Sequence, residues 1–321
     1  MKLLITGGLG FIGSNFIRYV LRKHPDYHIV NLDAMTYAAN PANLKDVEND
    51  RRYTFIKGDI CNRKLVEKVA KEVDVIINFA AESHVDRSIA DPEPFLKTNV
   101  FGTQVLLEAA RRFDHEKFVQ ISTDEVFGSI INGSFREEDP LKPSSPYAAS
   151  KAAADMLAHS YFVTYGLPVL ITRSTNNFGP YQHPEKLIPK LIINAISGEP
   201  LPIYGDGKNV RDWLYVADNC EAIDLILRKG KIGEVYNVGA GNEKMNLEIA
   251  TFIFKELGKP KSMIKFVKDR PGHDRRYSLN CEKLKALGWK PNYTLERGLK
   301  ETVQWYKQNE KWWKRIRSAS A

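Results

Sequence analysis

Seven residues, Gly7-Gly8-Leu9-Gly10-Phe11-Ile12-Gly13, restrict the fold of this chain more than any other stretch. They follow directly on an apolar run, Leu3-Leu4-Ile5, and lead into an amphipathic segment over residues 12–23. The spacing Gly-x-Gly-x-x-Gly starts at Gly8, and Gly-x-x-Gly-x-x-Gly starts at Gly7. Glycines at these points permit a tight turn, let backbone N–H groups approach a pyrophosphate, and allow a helix to pack closely on a strand. The helix start adds unpaired N–H donors and the positive end of its dipole. Asp33 closes the next expected strand, 20 residues beyond Gly13. A carboxylate there can accept both ribose hydroxyls and repels a 2′-phosphate, which favours NAD over NADP; it can also simply cap a turn.

Short β-branched runs at residues 3–6, 28–33, 53–57, 73–80, 118–122 and 169–173 alternate with helical patterns at 12–23, 64–71, 94–112 and 147–165. Strands alternating with crossover helices predict an α/β fold, a Rossmann-type doubly wound parallel sheet. Beyond Asn176 the rhythm loosens at Pro180, Pro184, Pro189, Pro200 and Pro202, with further strands expected at 234–239 and 264–267. Residues 1–175 are therefore read as an NAD-binding Rossmann domain. Residues 176–321 are read mainly as a smaller substrate-binding lobe, interleaved with the end of the sheet. It would sit over the carboxyl ends of the strands, where open α/β sheets bind ligands.

Composition narrows the class. Of 321 residues, 43% are hydrophobic and 27% charged, which excludes a disordered chain. No apolar run approaches the roughly 18 residues of a membrane span, and Met1-Lys2 opens on a strand rather than a signal peptide. Cys61, Cys220 and Cys281 lie far apart, with neither zinc-ligand spacing nor an even disulfide framework, so no metal site and a cytoplasmic location are expected. The net charge of +8 suits phosphorylated ligands as well as nucleic acid. No nucleic-acid-binding motif accompanies it. The basic tail Lys311-Trp312-Trp313-Lys314-Arg315-Ile316-Arg317 reads as a solvated helix end.

Tyr147-Ala148-Ala149-Ser150-Lys151 places a phenol and an ammonium on one helix face. A neighbouring cation stabilises phenolate, lowering a pKa of about 10 toward working pH. Such a base can take a hydroxyl proton while hydride leaves the same carbon. Thr123, at the end of the strand carrying Ser122, can hydrogen-bond the same oxygen. Small residues at Phe79-Ala80-Ala81 suit a close pass beside a cofactor. Asp59-Ile60 can meet an adenine or form an ordinary turn.

With these motifs the chain resembles the extended short-chain dehydrogenase/reductase family, in the branch that modifies nucleotide sugars. Three stretches narrow the likeness: Ala80-Ala81-Glu82-Ser83-His84-Val85-Asp86-Arg87-Ser88, Ser122-Thr123-Asp124-Glu125-Val126-Phe127-Gly128 and Asp269-Arg270-Pro271-Gly272-His273-Asp274-Arg275-Arg276-Tyr277. Over nearly the whole chain they resemble the dTDP-glucose 4,6-dehydratases. The resemblance implies NAD as cofactor, dTDP-glucose as substrate, a homodimer packed through the two long helices 94–112 and 147–165, and no nucleic-acid or membrane partner. It implies Glu125 as a general base at C5 and a protonated Asp124 as the acid at C6, with Thr123, Tyr147 and Lys151 completing the catalytic group. Ala34, Met35, Thr36, Ser83, Thr98 and Asn177 would join Gly7, Gly10, Phe11, Ile12, Gly13, Asp33, Asp59, Ile60, Phe79, Ala80 and Ala81 around the cofactor. Substrate contacts are implied at Ser83, Asn176, Lys186, Leu187, Pro202, Ile203, Tyr204, Arg211, Asn246, Asp269, Arg270 and His273. The alternatives are another nucleotide-sugar 4,6-dehydratase or a 4-epimerase, the latter having no need of the acidic pair, and a non-catalytic NAD-binding module.

Overall fold

The computed structural model describes residues 1–320. Its strands in chain order are β1 (Lys2–Thr6), β2 (His28–Asp33), β3 (Tyr53–Lys57), β4 (Val75–Asn78), β5 (Lys117–Thr123), β6 (Val169–Ser174), β7 (Asn176–Phe178), β8 (Leu201–Tyr204), β9 (Val210–Tyr215), β10 (Val235–Val238), β11 (Glu243–Met245) and β12 (Ile264–Val267). Seven form one parallel sheet in the order β3-β2-β1-β4-β5-β6-β10. Strand order reverses between β1 and β4, which opens a crevice at the carboxyl ends of the strands. The buried strands β1, β4 and β6 are near-continuous apolar runs, as a sheet covered on both faces requires.

Helices Phe11–Lys23 and Val216–Lys229 cover one face, around Phe16, Ile17, Val20, Ile223 and Ile226. Helices Arg63–Ala70, Thr103–Arg112 and Pro146–Tyr165 cover the other, around Val66, Leu106, Leu107 and Ala158. A third core lies in the C-terminal half, where helices Leu187–Ser197, Asn246–Glu256 and Leu295–Gln308 pack with β8 and β9. Two small sheets, β11-β9-β7 and β12-β8, frame it. The run at 234–239 becomes β10 and joins the main sheet beside β6, whereas the run at 264–267 pairs with β8 outside it. Among the described residues no helix is long and apolar enough to cross a membrane.

Two elements differ from the sequence expectation. The segment expected as one helix over 94–112 begins with a short turn at Glu93–Phe95 and continues as a widened π-helical stretch, Leu96–Gly102, before the α-helix Thr103–Arg112. Asn99 explains the bulge: its buried amide donates to the Glu82 carbonyl and to Ser150 Oγ, and it accepts from the Glu82 N–H. Helical periodicity does not register such polar ties. The tail forms the helix Glu310–Ser320, but it is not merely solvated, because Trp313 is 2% exposed in the third core.

Candidate active site

The site is built where β1, β2, β4, β5 and β6 end. Gly7 adopts φ +68°, and a Cβ added there would lie 2.7 Å from the Ala80 backbone. At Gly13 an added Cβ would meet the Gly7 carbonyl oxygen at 2.6 Å. The turn therefore has room for backbone alone; the N–H groups of Gly7, Gly8, Leu9 and Gly10 donate within the protein, and those of Phe11, Ile12 and Gly13 at the helix start remain to face a pyrophosphate. Asp33 is buried; its Oδ2 accepts from the Leu9 N–H at 2.9 Å and its Oδ1 from the Met35 N–H at 2.8 Å. Burial raises its carboxyl pKa against those two bonds. The capping reading and the ribose reading of Asp33 are thus compatible, since each carboxylate oxygen has a second lone pair.

The catalytic candidates converge from two elements. Thr123 ends β5, and its hydroxyl accepts from the Glu125 N–H at 3.3 Å, fixing the tight turn Asp124–Phe127 that carries both carboxyls. Ser145 caps the helix Pro146–Tyr165 by accepting from the Ala148 N–H at 3.2 Å, with Pro146 at the first helical position. That cap starts the helix so that Tyr147, Lys151 and Asp155 stack on successive turns, all of them buried. Thr123, Asp124, Glu125, Tyr147 and Lys151 line one cleft with the glycine turn, Asp33, Phe79, Ser83, Thr98, Asn176, Asn177 and Lys186.

Electrostatics separate the two carboxyls. Burial raises Asp124 well above the usual carboxylate range, and the neighbouring Glu125 charge raises it further. Burial also raises Glu125, but the cations Arg270, Arg211 and Lys186 oppose it. Asp124 is therefore the better proton carrier and Glu125 the better base. Asp124 Oδ2 is buried without a partner among the described residues, as are Asn176 Oδ1 and Asn177 Oδ1. Buried polar atoms of this kind call for hydrogen-bonding partners, and polar ligands supply them.

The Tyr–Lys pair departs from the simple expectation. Lys151 Nζ donates to the Ile121 carbonyl at 2.6 Å, and burial lowers its pKa to about 8. Burial, with Glu125 and Asp124 facing it, raises the Tyr147 phenol rather than lowering it. Burial and the facing acidic pair thus favour the neutral phenol, and the hydrogen bond with Thr123 opposes them.

A second cluster borders the cleft. Lys186 Nζ donates to the Ser83 carbonyl at 2.7 Å, and Arg270 lies 3.6 Å from Asp86. Tyr204 donates to Asp86 at 3.1 Å, and His273 contacts Asp269 at 2.6 Å. Arg211 stacks 4.1 Å over Tyr277 and donates to the Asp274 carbonyl. Asn246 begins a helix with its Oδ1 buried and without a partner among the described residues. Leu187 follows Lys186 into its helix, Pro202 lies in β8, and Ile203 beside it turns into the lobe core. Met35 lies outside the cleft lining with an exposed side chain, so only its backbone serves Asp33. Glu82, His183 and Glu185 line the cleft, although the sequence reading did not assign them. Glu185 accepts from the Tyr37 hydroxyl at 3.1 Å and pairs with Arg87 at 3.4 Å. Glu82 sits inside a motif already singled out, but nothing in its spacing marks Glu185.

The GDP-mannose 4,6 dehydratase family model matches residues 4–302. A low-salt glycan biosynthesis protein of Haloferax volcanii is 55% identical over 306 residues, covering 95% of this chain and 98% of its own. The crystal structure of a dTDP-glucose 4,6-dehydratase from Bacillus anthracis in complex with NAD aligns with TM-score 0.93 and 54% identity, covering 98% of this chain and 99% of that one. A dTDP-glucose 4,6-dehydratase from Streptomyces venezuelae, also with NAD, aligns with TM-score 0.97 and 49% identity, covering 98% of this chain and 100% of that one.

Proposed function

The chain belongs to the GDP-mannose 4,6-dehydratase family, and from that premise we infer that it catalyses NAD-dependent dehydration of dTDP-glucose to dTDP-4-dehydro-6-deoxy-glucose. The observation that carries this reading is the Asp124–Glu125 pair set in one cleft with Tyr147 and the glycine turn. Rejection of any Cβ at Gly7 and Gly13 lets the NAD pyrophosphate approach the N–H groups of Phe11, Ile12 and Gly13 at the helix start, and Asp33 would take the ribose. NAD, when bound, accepts hydride from C4 of the sugar and returns it to C6.

The chain's own groups handle protons. Tyr147 would take the C4 hydroxyl proton as a phenolate, a form that the positive charge of an oxidised nicotinamide beside it would favour against burial and the acidic pair, with Thr123 holding the same oxygen. The resulting ketone acidifies C5–H, so Glu125 can remove that proton. Asp124 donates its proton to the C6 hydroxyl, which departs as water. Glu125 returns a proton to C5, and the proton gained by Tyr147 balances the one lost by Asp124. Lys186, Arg211 and Arg270 supply cations for the nucleotide diphosphate. Residues 1–175 would serve the cofactor and residues 176–321 mainly the sugar nucleotide.

Two coarser properties extend the proposal. Leu96, Met156 and Val163 are exposed on the outer helices, with Met156 and Val163 two turns apart on one face, which supports a homodimer through those helices. Cys61, Cys220 and Cys281 are unpaired, which supports a reducing, cytoplasmic location. The deciding experiment incubates the protein with dTDP-glucose and NAD in heavy water and weighs the product. Loss of one water with deuterium at C5 is expected; unchanged sugar or dTDP-galactose refutes the reading.

A further inference from the structure

The last helix reaches the glycine turn through a continuous run of hydrogen bonds. Trp312 Nε1 donates to Asn43 Oδ1 at 2.8 Å, across 269 positions of sequence. Asn43 is 1% exposed, and its Nδ2 donates to the Leu9 carbonyl at 2.8 Å. Leu9 lies within the glycine turn, and its own N–H is the donor to Asp33 Oδ2. The indole itself is held edge-on by Trp305 at 5.0 Å and by Tyr181 at 6.0 Å.

Chemistry fixes the direction of this run. An indole nitrogen can only donate, so it holds the oxygen side of the Asn43 amide toward the tail. The amide nitrogen is thereby left facing Leu9, whose carbonyl can only accept. A flipped amide would oppose two donors at one end and two acceptors at the other. Buried groups mismatched in that way cost free energy that water cannot relieve. Leu9 is consequently gripped at both its N–H and its carbonyl, with the Asn40 N–H as second donor to the latter at 3.1 Å.

We propose that Trp312 and Asn43 are positioning residues for NAD, holding the glycine turn and Asp33 in their binding shape from the far end of the chain. The inference rests on NAD as the ligand of the cleft and not on the dehydration. Native protein that binds NAD yet leaves dTDP-glucose intact would therefore overturn the proposed reaction and leave this inference standing.

The test uses the full-length protein with NAD titrations and amide hydrogen exchange. Trp312→Phe keeps the ring packing and removes the N–H; Asn43→Leu removes both side-chain bonds at similar volume. Trp312→Phe should weaken NAD binding about fivefold, the loss expected for one buried hydrogen bond, and Asn43→Leu, which removes two, by at least as much. Each should also speed exchange within residues 8–13. The double variant should bind NAD no more weakly than Asn43→Leu alone, because both changes cut one run. NAD affinity within about twofold of native, faster exchange confined to residues 305–318, or additive losses would each overturn the proposal. Should Asn43→Leu not fold, affinity and exchange in Trp312→Phe decide it.

Discussion

Individual side chains in the cleft take their roles from their surroundings rather than from their type. Asp124 and Glu125 are adjacent in sequence, yet Arg270, Arg211 and Lys186 all act on Glu125, whereas on Asp124 Arg211 is set against burial and the Glu125 charge. Glu125→Gln keeps the shape and removes the carboxylate proposed as the base. Oxidation at C4 should proceed and elimination stall, so that reduced cofactor accumulates and product formation falls by ~100-fold or more. Normal turnover would reassign the base. Lys151 gives a pH prediction. Its folded pKa of about 8 lies below its ordinary value, so the amine is a cation below that pH and neutral above it. The kcat/KM measured against NAD reports the enzyme before NAD binds and should fall as pH rises through about 8. Lys151→Arg should move that limb upward, and a fixed limb would assign it to another group. For stability the sign is opposite. Above about 8 and up to the unfolded value, the native state holds fewer protons than the unfolded chain, so this residue's contribution rises with pH.

At the level of elements, the turn after β1 and the two starts that present the catalytic groups depend on backbone rules. Gly13→Ala places a methyl 2.6 Å from the Gly7 oxygen and 2.9 Å from Gly8 Cα, both rigid backbone. The turn must open, and NAD affinity should drop by roughly tenfold or more; a titration matching the native protein would show that the turn has slack. The π-helical stretch Leu96–Gly102 illustrates the same dependence, since Asn99 uses it to tie the loop at Glu82 to Ser150 beside Tyr147. Widened turns of this sort recur at functional sites.

For the molecule as a whole, the question is what covers the outer helices. Leu96, Met156 and Val163 are exposed on these helices, the face on which the homodimer is proposed. Met156→Lys on the helix Pro146–Tyr165 should shift a dimer toward monomer, seen as a halved mass by light scattering. An unchanged mass would place any self-association elsewhere. Within the chain the C-terminal half is bound to the sheet by β10 and by helix Val216–Lys229 against helix Phe11–Lys23, so the two sides of the cleft are parts of one packed body.

The sequence alone determined the parallel sheet, the glycine turn, Asp33 and the Tyr147–Lys151 helix, because each rests on local rules: alternation of apolar runs, a spacing only glycine can fill, and four-residue helical neighbours. Likeness of motif then located the Asp124–Glu125 pair and the basic residues of the rim. Only the tertiary structure decided the protonation preferences. These depend on how deeply each group is buried and on which charges arrive from distant segments, as Arg270 and Lys186 do at Glu125. It also decided the place of Glu185, which meets Tyr37 and Arg87 from far along the chain, and of Trp312, whose basic neighbours suggest solvent while its indole reaches a buried amide. Periodicity records which face of an element is apolar; it carries no information about which polar atom will find a partner hundreds of residues away.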